Sequence, residues 1–92
     1  KRIKGLTGRR KIPPGYAMFF PRCGAIHTFF MSTAIDVVMT DRSERVVYIK
    51  EAMAPFKLAW CARAGNTYEM AAFSAGKAGI KKGMFLSRKG GV

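Results

Sequence analysis

The stretch that decides the fold reads Ile35-Asp36-Val37-Val38-Met39-Thr40, then Asp41-Arg42-Ser43-Glu44-Arg45, then Val46-Val47-Tyr48-Ile49. Two runs rich in β-branched residues flank a polar five-residue segment. This pattern is typical of two antiparallel strands joined by a hairpin loop around a type I turn. Pairing of residues 36–39 with residues 46–49 follows from it, and the hairpin predicts a β-rich domain.

Working outward, further short apolar segments separated by turn signals predict additional strands. Pro55 argues against a central strand in residues 52–64, so a loop leading into a short extended piece is expected there. Three glycines in residues 76–83 leave room for one tight helical turn. We therefore predict a mainly β fold: a small β-sandwich or barrel-like single domain over residues 1–92, with one short helical turn and disordered ends at 1–4 and 88–92. The other predicted strand segments are residues 16–20, 26–30, 67–73 and 84–86.

The net charge of +12 is not spread evenly along the 92 residues. Residues 1–22 carry seven positive and no negative charges, residues 23–76 carry five of each, and residues 77–92 carry five positive charges. If the ends converge, they form a basic face that binds polyanions or, weakly, nucleic acid, and neutralising about five phosphates predicts a log–log salt slope of roughly −4 to −5. The alternative is that the charges simply keep the ends solvated. The residues of such a face are Lys1, Arg2, Lys4, Lys11, Lys81 and Lys82.

The two cysteines, Cys23 and Cys61, do not form a Cys-x-x-Cys pair. Free cysteine is common in small cytosolic domains, so both are expected to be reduced and the protein is expected to be cytoplasmic. No apolar run approaches the roughly 20 residues of a membrane-spanning helix.

The chain also carries motifs of a known family. Gly5-Leu6-Thr7-Gly8-Arg9 and Ile12-Pro13-Pro14-Gly15 precede a run with Cys23, His27-Thr28-Phe29-Phe30-Met31 and Ile35-Asp36-Val37-Val38. With these pieces the chain resembles the bacterial and archaeal domain-of-unknown-function 192 family, also called uncharacterised protein family 0127, over about residues 5–86. The resemblance implies a compact β-sandwich-like fold. It brings no activity, because the family has no established biochemical function.

Any site must therefore be predicted from the residues. His27, Asp36 and Glu69 are titratable groups in apolar segments, and buried polar groups need partners. Our leading hypothesis is a non-catalytic binding or accessory module with a groove at these three residues, rimmed by Arg9 and Arg10, that recognises a polar or anionic small ligand. The alternatives are structural: His27 and Asp36 satisfy each other or the backbone, and the carboxylates of Asp36 and Glu69 point outward to the surface or pair with an arginine such as Arg9.

A metal- or thiol-dependent enzyme is the third hypothesis. Cys23 and His27 are the weak metal candidates, with Asp36, Cys61 and Glu69 as further donors, but their spacing lacks the paired ligands of zinc motifs. A Cys23–His27 nucleophile pair is the thiol version. We expect no cofactor and lean against catalysis. The aromatic residues are predicted to be core, because so small a domain needs them inside; they are Phe19, Phe20, Phe29, Phe30, Phe56, Trp60 and Phe73.

Overall fold

The computed structural model describes residues 3–4, 12, 15–28 and 33–86, which form two β-sheets and one short helix. The four-stranded sheet has the order β2-β7-β4-β5 and is antiparallel throughout, and the three-stranded sheet has the order β1-β3-β6. The mainly β class is confirmed. The elements are β1 (Ile3–Lys4), β2 (Ala17–Pro21), β3 (Ala25–His27), β4 (Ile35–Thr40), β5 (Val46–Met53), β6 (Leu58–Trp60), β7 (Asn66–Ala71) and α1 (Ser74–Lys77).

The predicted hairpin is β4 and β5 with the loop 41–45. Within the loop the Glu44 amide donates to the Asp41 carbonyl, and the Asp41 amide donates to the Arg45 carbonyl. Val38 faces Ile49 and Thr40 faces Val46, with a register irregularity between Met39 and Thr40. The strands therefore pair about two residues away from the expected register.

The core has two layers because side chains alternate across a strand. Between the sheets, Ile26 and Ala59 of the small sheet pack with Ile35, Val37 and Met39 of the large one. On the opposite face of the large sheet the alternate residues form a second cluster with the helix, consisting of Val38, Val46, Tyr68, Met70 and Ala75. One residue of offset in β4 or β7 therefore decides which layer a side chain enters.

Other strand predictions agree less evenly. β6 lies within residues 52–64. β2 and β7 overlap the predicted segments 16–20 and 67–73 but extend one residue beyond them, at Pro21 and Asn66, and β3 overlaps only the start of residues 26–30. The predicted strand 84–86 is reduced to one bridge between Phe85 and Arg45. Of the ends expected to be disordered, Ile3 and Lys4 form β1 beside β3, whereas residues 1–2 and 88–92 lie outside the described residues.

The predicted aromatic core is wrong at three positions. Phe56, Trp60 and Phe73 are 67%, 69% and 62% exposed. Phe56 and Phe73 adopt left-handed backbone angles at turns, and Trp60 lies on the outward face of a three-residue strand. Phe19 and Phe20 are partly buried against the two layers, and Phe29 and Phe30 lie outside the described residues.

No helix of the described part of the chain is long and apolar enough to cross a membrane.

Candidate functional site: a cationic end of the sandwich

Asp36 is a fully buried carboxylate held by main-chain amides. Its Oδ1 accepts hydrogen bonds from the amides of Ala52 at 2.8 Å and Phe73 at 2.9 Å, and its Oδ2 accepts one from the Ala75 amide at 2.8 Å. The carboxylate thus links β4 to the end of β5 and to the start of α1. Both of its oxygens are occupied structurally.

Glu69 lies on the opposite face of the same sheet. It pairs with Val37 on β4 and Met18 on β2, and Val37 belongs to the layer between the sheets, whereas Asp36 pairs with Met70 of the helix-side layer. Glu69 is 1% exposed, and its Oε2 accepts no hydrogen bond from the described residues. Burial raises the pKa of Glu69 to about 7.

His27 is in the other sheet, next to the inward-facing Ile26, and is half-buried. The structure therefore does not bring His27, Asp36 and Glu69 together. Cys23 is fully buried and its thiol donates to the Ala25 carbonyl at 3.0 Å; Cys61 is half-buried, and neither cysteine forms a disulfide. Among residues 15–28 and 33–86, no three His, Cys, Asp or Glu side chains are grouped so that they could hold a metal ion.

Only some of the predicted basic residues lie in the part of the chain that the structure describes. Arg9 and Arg10 of the hypothesised rim, with Lys1, Arg2 and Lys11, lie outside the described residues. Lys4 belongs to β1, paired with Ile26, and Lys81 is exposed in the turn after α1. Lys82 lines a cleft at one end of the sandwich.

Three adjoining clefts at that end share residues of the hairpin loop and of the loop after β6. One, of about 540 Å³, is lined by Arg22 and Arg42 with Gly24, Ala64, Gly65 and Asn66. A second, of about 490 Å³, is lined by Arg45, Arg63 and Lys82, and a third, of about 460 Å³, by Arg42 and Arg63. We call the surface formed by these five basic side chains the cationic end; its members are Arg22, Arg42, Arg45, Arg63 and Lys82.

Backbone hydrogen bonds fix the loops that carry these cations. The Gly65 amide donates to the Thr40 carbonyl at 2.6 Å, and the Cys23 amide donates to the Gly65 carbonyl at 2.9 Å. A Cβ at position 24 would lie 3.1 and 3.2 Å from the carbonyl oxygens of Ala64 and Cys61, so a larger residue there would need the two chain segments to move apart by a few tenths of an ångström, and this close approach favours glycine. The backbone that lines the first cleft is therefore held in place by these hydrogen bonds.

Arg22 is held in an unusual conformation at the edge of this cleft. Its backbone has φ 53°, in the left-handed region, and its amide donates to the Asn66 Oδ1 at 3.2 Å. Such strain costs of order 1–3 kcal/mol and is concentrated at functional sites. The Oδ1 of Asn66 accepts this bond, and the Nδ2 of the same side chain is a donor that can contact an anionic ligand.

Asp41 and Glu44, the acidic residues of the hairpin loop 41–45, accept hydrogen bonds from groups within the protein. Asp41 lines two of the clefts, and its Oδ1 accepts from the Ser43 hydroxyl, the Ser43 amide and the Arg45 amide. The Ser43 hydroxyl and then the Arg45 amide hold the pKa of Asp41 below its usual value. Glu44 accepts from the Tyr68 hydroxyl at 2.9 Å and from the Thr40 hydroxyl. These neutral donors do not cancel the charge of the carboxylates, but the five basic side chains of the cationic end outnumber Asp41 and Glu44, so positive charge dominates there.

The chemistry of the cationic end is recognition of anions. A guanidinium offers a fork of donors that matches carboxylate and phosphate oxygens, and two arginines with an amide donor can bind one such group from several sides. Sequence reasoning missed Arg22, Arg42, Arg45 and Arg63, because they come from three loops far apart in the chain. Their position next to turn glycines and serines was the available signal.

Comparisons with known proteins agree with the fold. The crystal structure, at 1.22 Å resolution, of a protein of unknown function from Novosphingobium aromaticivorans DSM 12444 is similar with a TM-score of 0.73 at 21% identity. The similarity covers 86% of this chain and 61% of that one, so this chain spans less than two thirds of its length. A comparison with the curated proteins finds no match. The model of the DUF192 family, described as uncharacterized ACR, matches residues 1–87, and the chain therefore belongs to this family.

Proposed function

We propose that this protein is a non-catalytic binding module that recognises an anionic group, a phosphate or carboxylate, at the cationic end. The observation that carries the proposal is the first cleft, where Arg22 and Arg42 flank backbone that is free of side chains at Gly24 and Gly65. This keeps the anionic ligand of our sequence-based hypothesis and moves its site. A cytoplasmic location is part of the proposal, supported by two cysteines that form no disulfide.

The lining of the clefts supports binding rather than bond cleavage. Cys23 is sealed in the core, and the hydroxyl of Ser43 donates to Asp41 and is thus engaged within its own loop. The first cleft, unlike the other two, has no acidic residue in its lining, and the groups it presents to a ligand are guanidinium and amide donors. These groups position an anion but remove no proton from it at neutral pH.

The test is a titration with pyrophosphate, followed by the backbone amide resonances of the protein in dilute chloride buffer. We expect saturable shifts at Gly24, Arg42 and Gly65. Arg42→Gln should weaken binding by about 5- to 30-fold, because a charge-assisted bidentate contact contributes about 1–2 kcal/mol.

Lys50→Gln is the matched control. It removes the same charge from an exposed position on β5, away from the cleft lining. We expect it to leave pyrophosphate binding within a factor of two. Equal weakening by the two substitutions would indicate attraction to overall charge and would contradict a defined site, as would non-saturating shifts.

The polyanion alternative shares Lys82 with the cationic end, so the same protein is titrated with single-stranded DNA. For single-stranded DNA, binding through about five phosphates requires a salt slope of roughly −3.5. A flat salt response eliminates that alternative. A steep slope with no loss of affinity in the Arg42 variant would favour the termini over the cleft.

A further inference from the structure

β6 exposes a row of large apolar side chains. Leu58 and Trp60 are 60% and 69% exposed, whereas Ala59 between them is 3% exposed and packs in the core. The alternation places Leu58 and Trp60 on the outer face of the three-stranded sheet. Phe56, two residues before Leu58, is exposed as well.

The backbone of β6 is open along one side. The Thr28 amide donates to the Lys57 carbonyl and the Cys61 amide donates to the Gly24 carbonyl, which makes these two pairs hydrogen-bonded pairs of the antiparallel ladder. Hydrogen-bonded pairs alternate with non-bonded ones, so Leu58 and Trp60 direct their amides and carbonyls away from β3. Within the described residues β6 is an edge of its sheet, and these groups point outward from that edge.

The chain segment that carries this edge has charges of one sign only. Residues 52–68 contain Lys57 and Arg63 and no acidic residue. An added strand that carries carboxylates would meet opposite charge at both ends of β6. A second copy of the chain would bring another +12, so self-pairing along this edge is opposed by repulsion.

We infer that the β6 edge binds an extended peptide segment of a partner protein, in which apolar and acidic residues alternate. The segment adds as a strand beside β6: its backbone pairs with the amides and carbonyls of Leu58 and Trp60, and its apolar side chains pack on those two residues. Its carboxylates lie near Lys57 and Arg63. This inference goes beyond the anion site and does not depend on it.

The probe is a fluorescein-labelled nine-residue peptide in which valine and glutamate alternate, measured by fluorescence anisotropy with the full chain. We expect binding that Trp60→Ser weakens at least about tenfold, as for a central aromatic anchor. The matched control is Tyr16→Ser, because Tyr16 is 68% exposed at a different place in the fold. It should leave the affinity unchanged.

Two further peptides test the strand geometry. N-methylation of alternate residues in one register should abolish binding, and N-methylation in the other register should leave it intact, because only every second amide faces β6. Bound peptide should also slow hydrogen exchange at the amides of Leu58 and Trp60. Pyrophosphate binding should survive in Trp60→Ser, which separates failure of this inference from failure of the anion site.

Several results would overturn the inference. They are the absence of peptide binding, equal losses in the Trp60 and Tyr16 variants, and equal binding of both N-methylated peptides. Replacement of glutamate by lysine in the peptide without loss of affinity would also contradict it. Concentration-dependent dimerisation that Trp60→Ser abolishes would assign the edge to a second copy, and protection of Trp60 by oligothymidine alone would assign it to base stacking.

Discussion

Asp36→Ala is expected to lower the free energy of unfolding by about 3–5 kcal/mol, a large part of the stability of a domain this size. The substitution leaves three amides without an acceptor, at Ala52, Phe73 and Ala75. A buried donor without a partner costs about 1–3 kcal/mol, which applies in full to the Ala75 amide; the bonds of Ala52 and Phe73 are partly buried, so water offsets part of their loss. The measurement is urea unfolding followed by circular dichroism at neutral pH.

Asp41→Ala is the natural comparison, because Asp41 also accepts backbone amides but at an exposed loop. Water can replace it there, so its loss should be clearly smaller. Asp36→Asn keeps one acceptor oxygen and should fall between the two. Equal effects at positions 36 and 41 would contradict the structural role assigned to Asp36.

Glu69→Gln is expected to stabilise the protein by about 3 kcal/mol at pH 8 and to have little effect on its electrostatic stability near pH 4. Burial raises the pKa of Glu69 to about 7 in the folded protein. Between pH 4.5 and 7 the folded protein therefore holds a proton that the unfolded chain has released. The stability of the parent protein consequently falls as pH rises through this window and levels off above it.

The measurement is the free energy of unfolding at pH 5, 6, 7 and 8 for the parent protein and the variant. The difference between them should grow with pH, with a slope approaching 1.36 kcal/mol per pH unit in the middle of the window. Glu51→Gln, at an exposed position on β5, removes the same charge and should not change the profile. A Glu69→Gln variant that is less stable at pH 8 would indicate a cationic partner for the carboxylate, for which Arg9 is the sequence-based candidate.

The fold was largely predictable, because the hairpin and the strand at residues 67–73 depend on local patterns of β-branched residues and turns. The placement of Asp36 and Glu69 on opposite faces of the four-stranded sheet could not be predicted in this way. Each strand's alternation gives two sets of residues, but which sets share a face depends on the register between β4 and β7, strands about 30 residues apart. A shift of one residue would have placed both carboxylates in one layer.

The cationic end could not be recognised from the net charge of the middle of the chain. Residues 23–76 carry equal numbers of positive and negative charges, which suggested a neutral middle. In the fold, Asp36 and Glu69 are buried, while Arg42, Arg45 and Arg63 gather at one end. Net charge along a sequence carries no information about which charges face water, and only tertiary structure separates them.

The amides that hold Asp36 come 16, 37 and 39 residues later in the chain. A carboxylate gives up water at a high free-energy cost until such donors reach it. During synthesis, therefore, we expect the strand that carries Asp36 to reach its buried position only after the short helix has left the ribosome. The domain would complete its folding only when its last quarter has been synthesised. A chain cut short before that helix would leave the Asp36 carboxylate with only the Ala52 amide of its three main-chain donors.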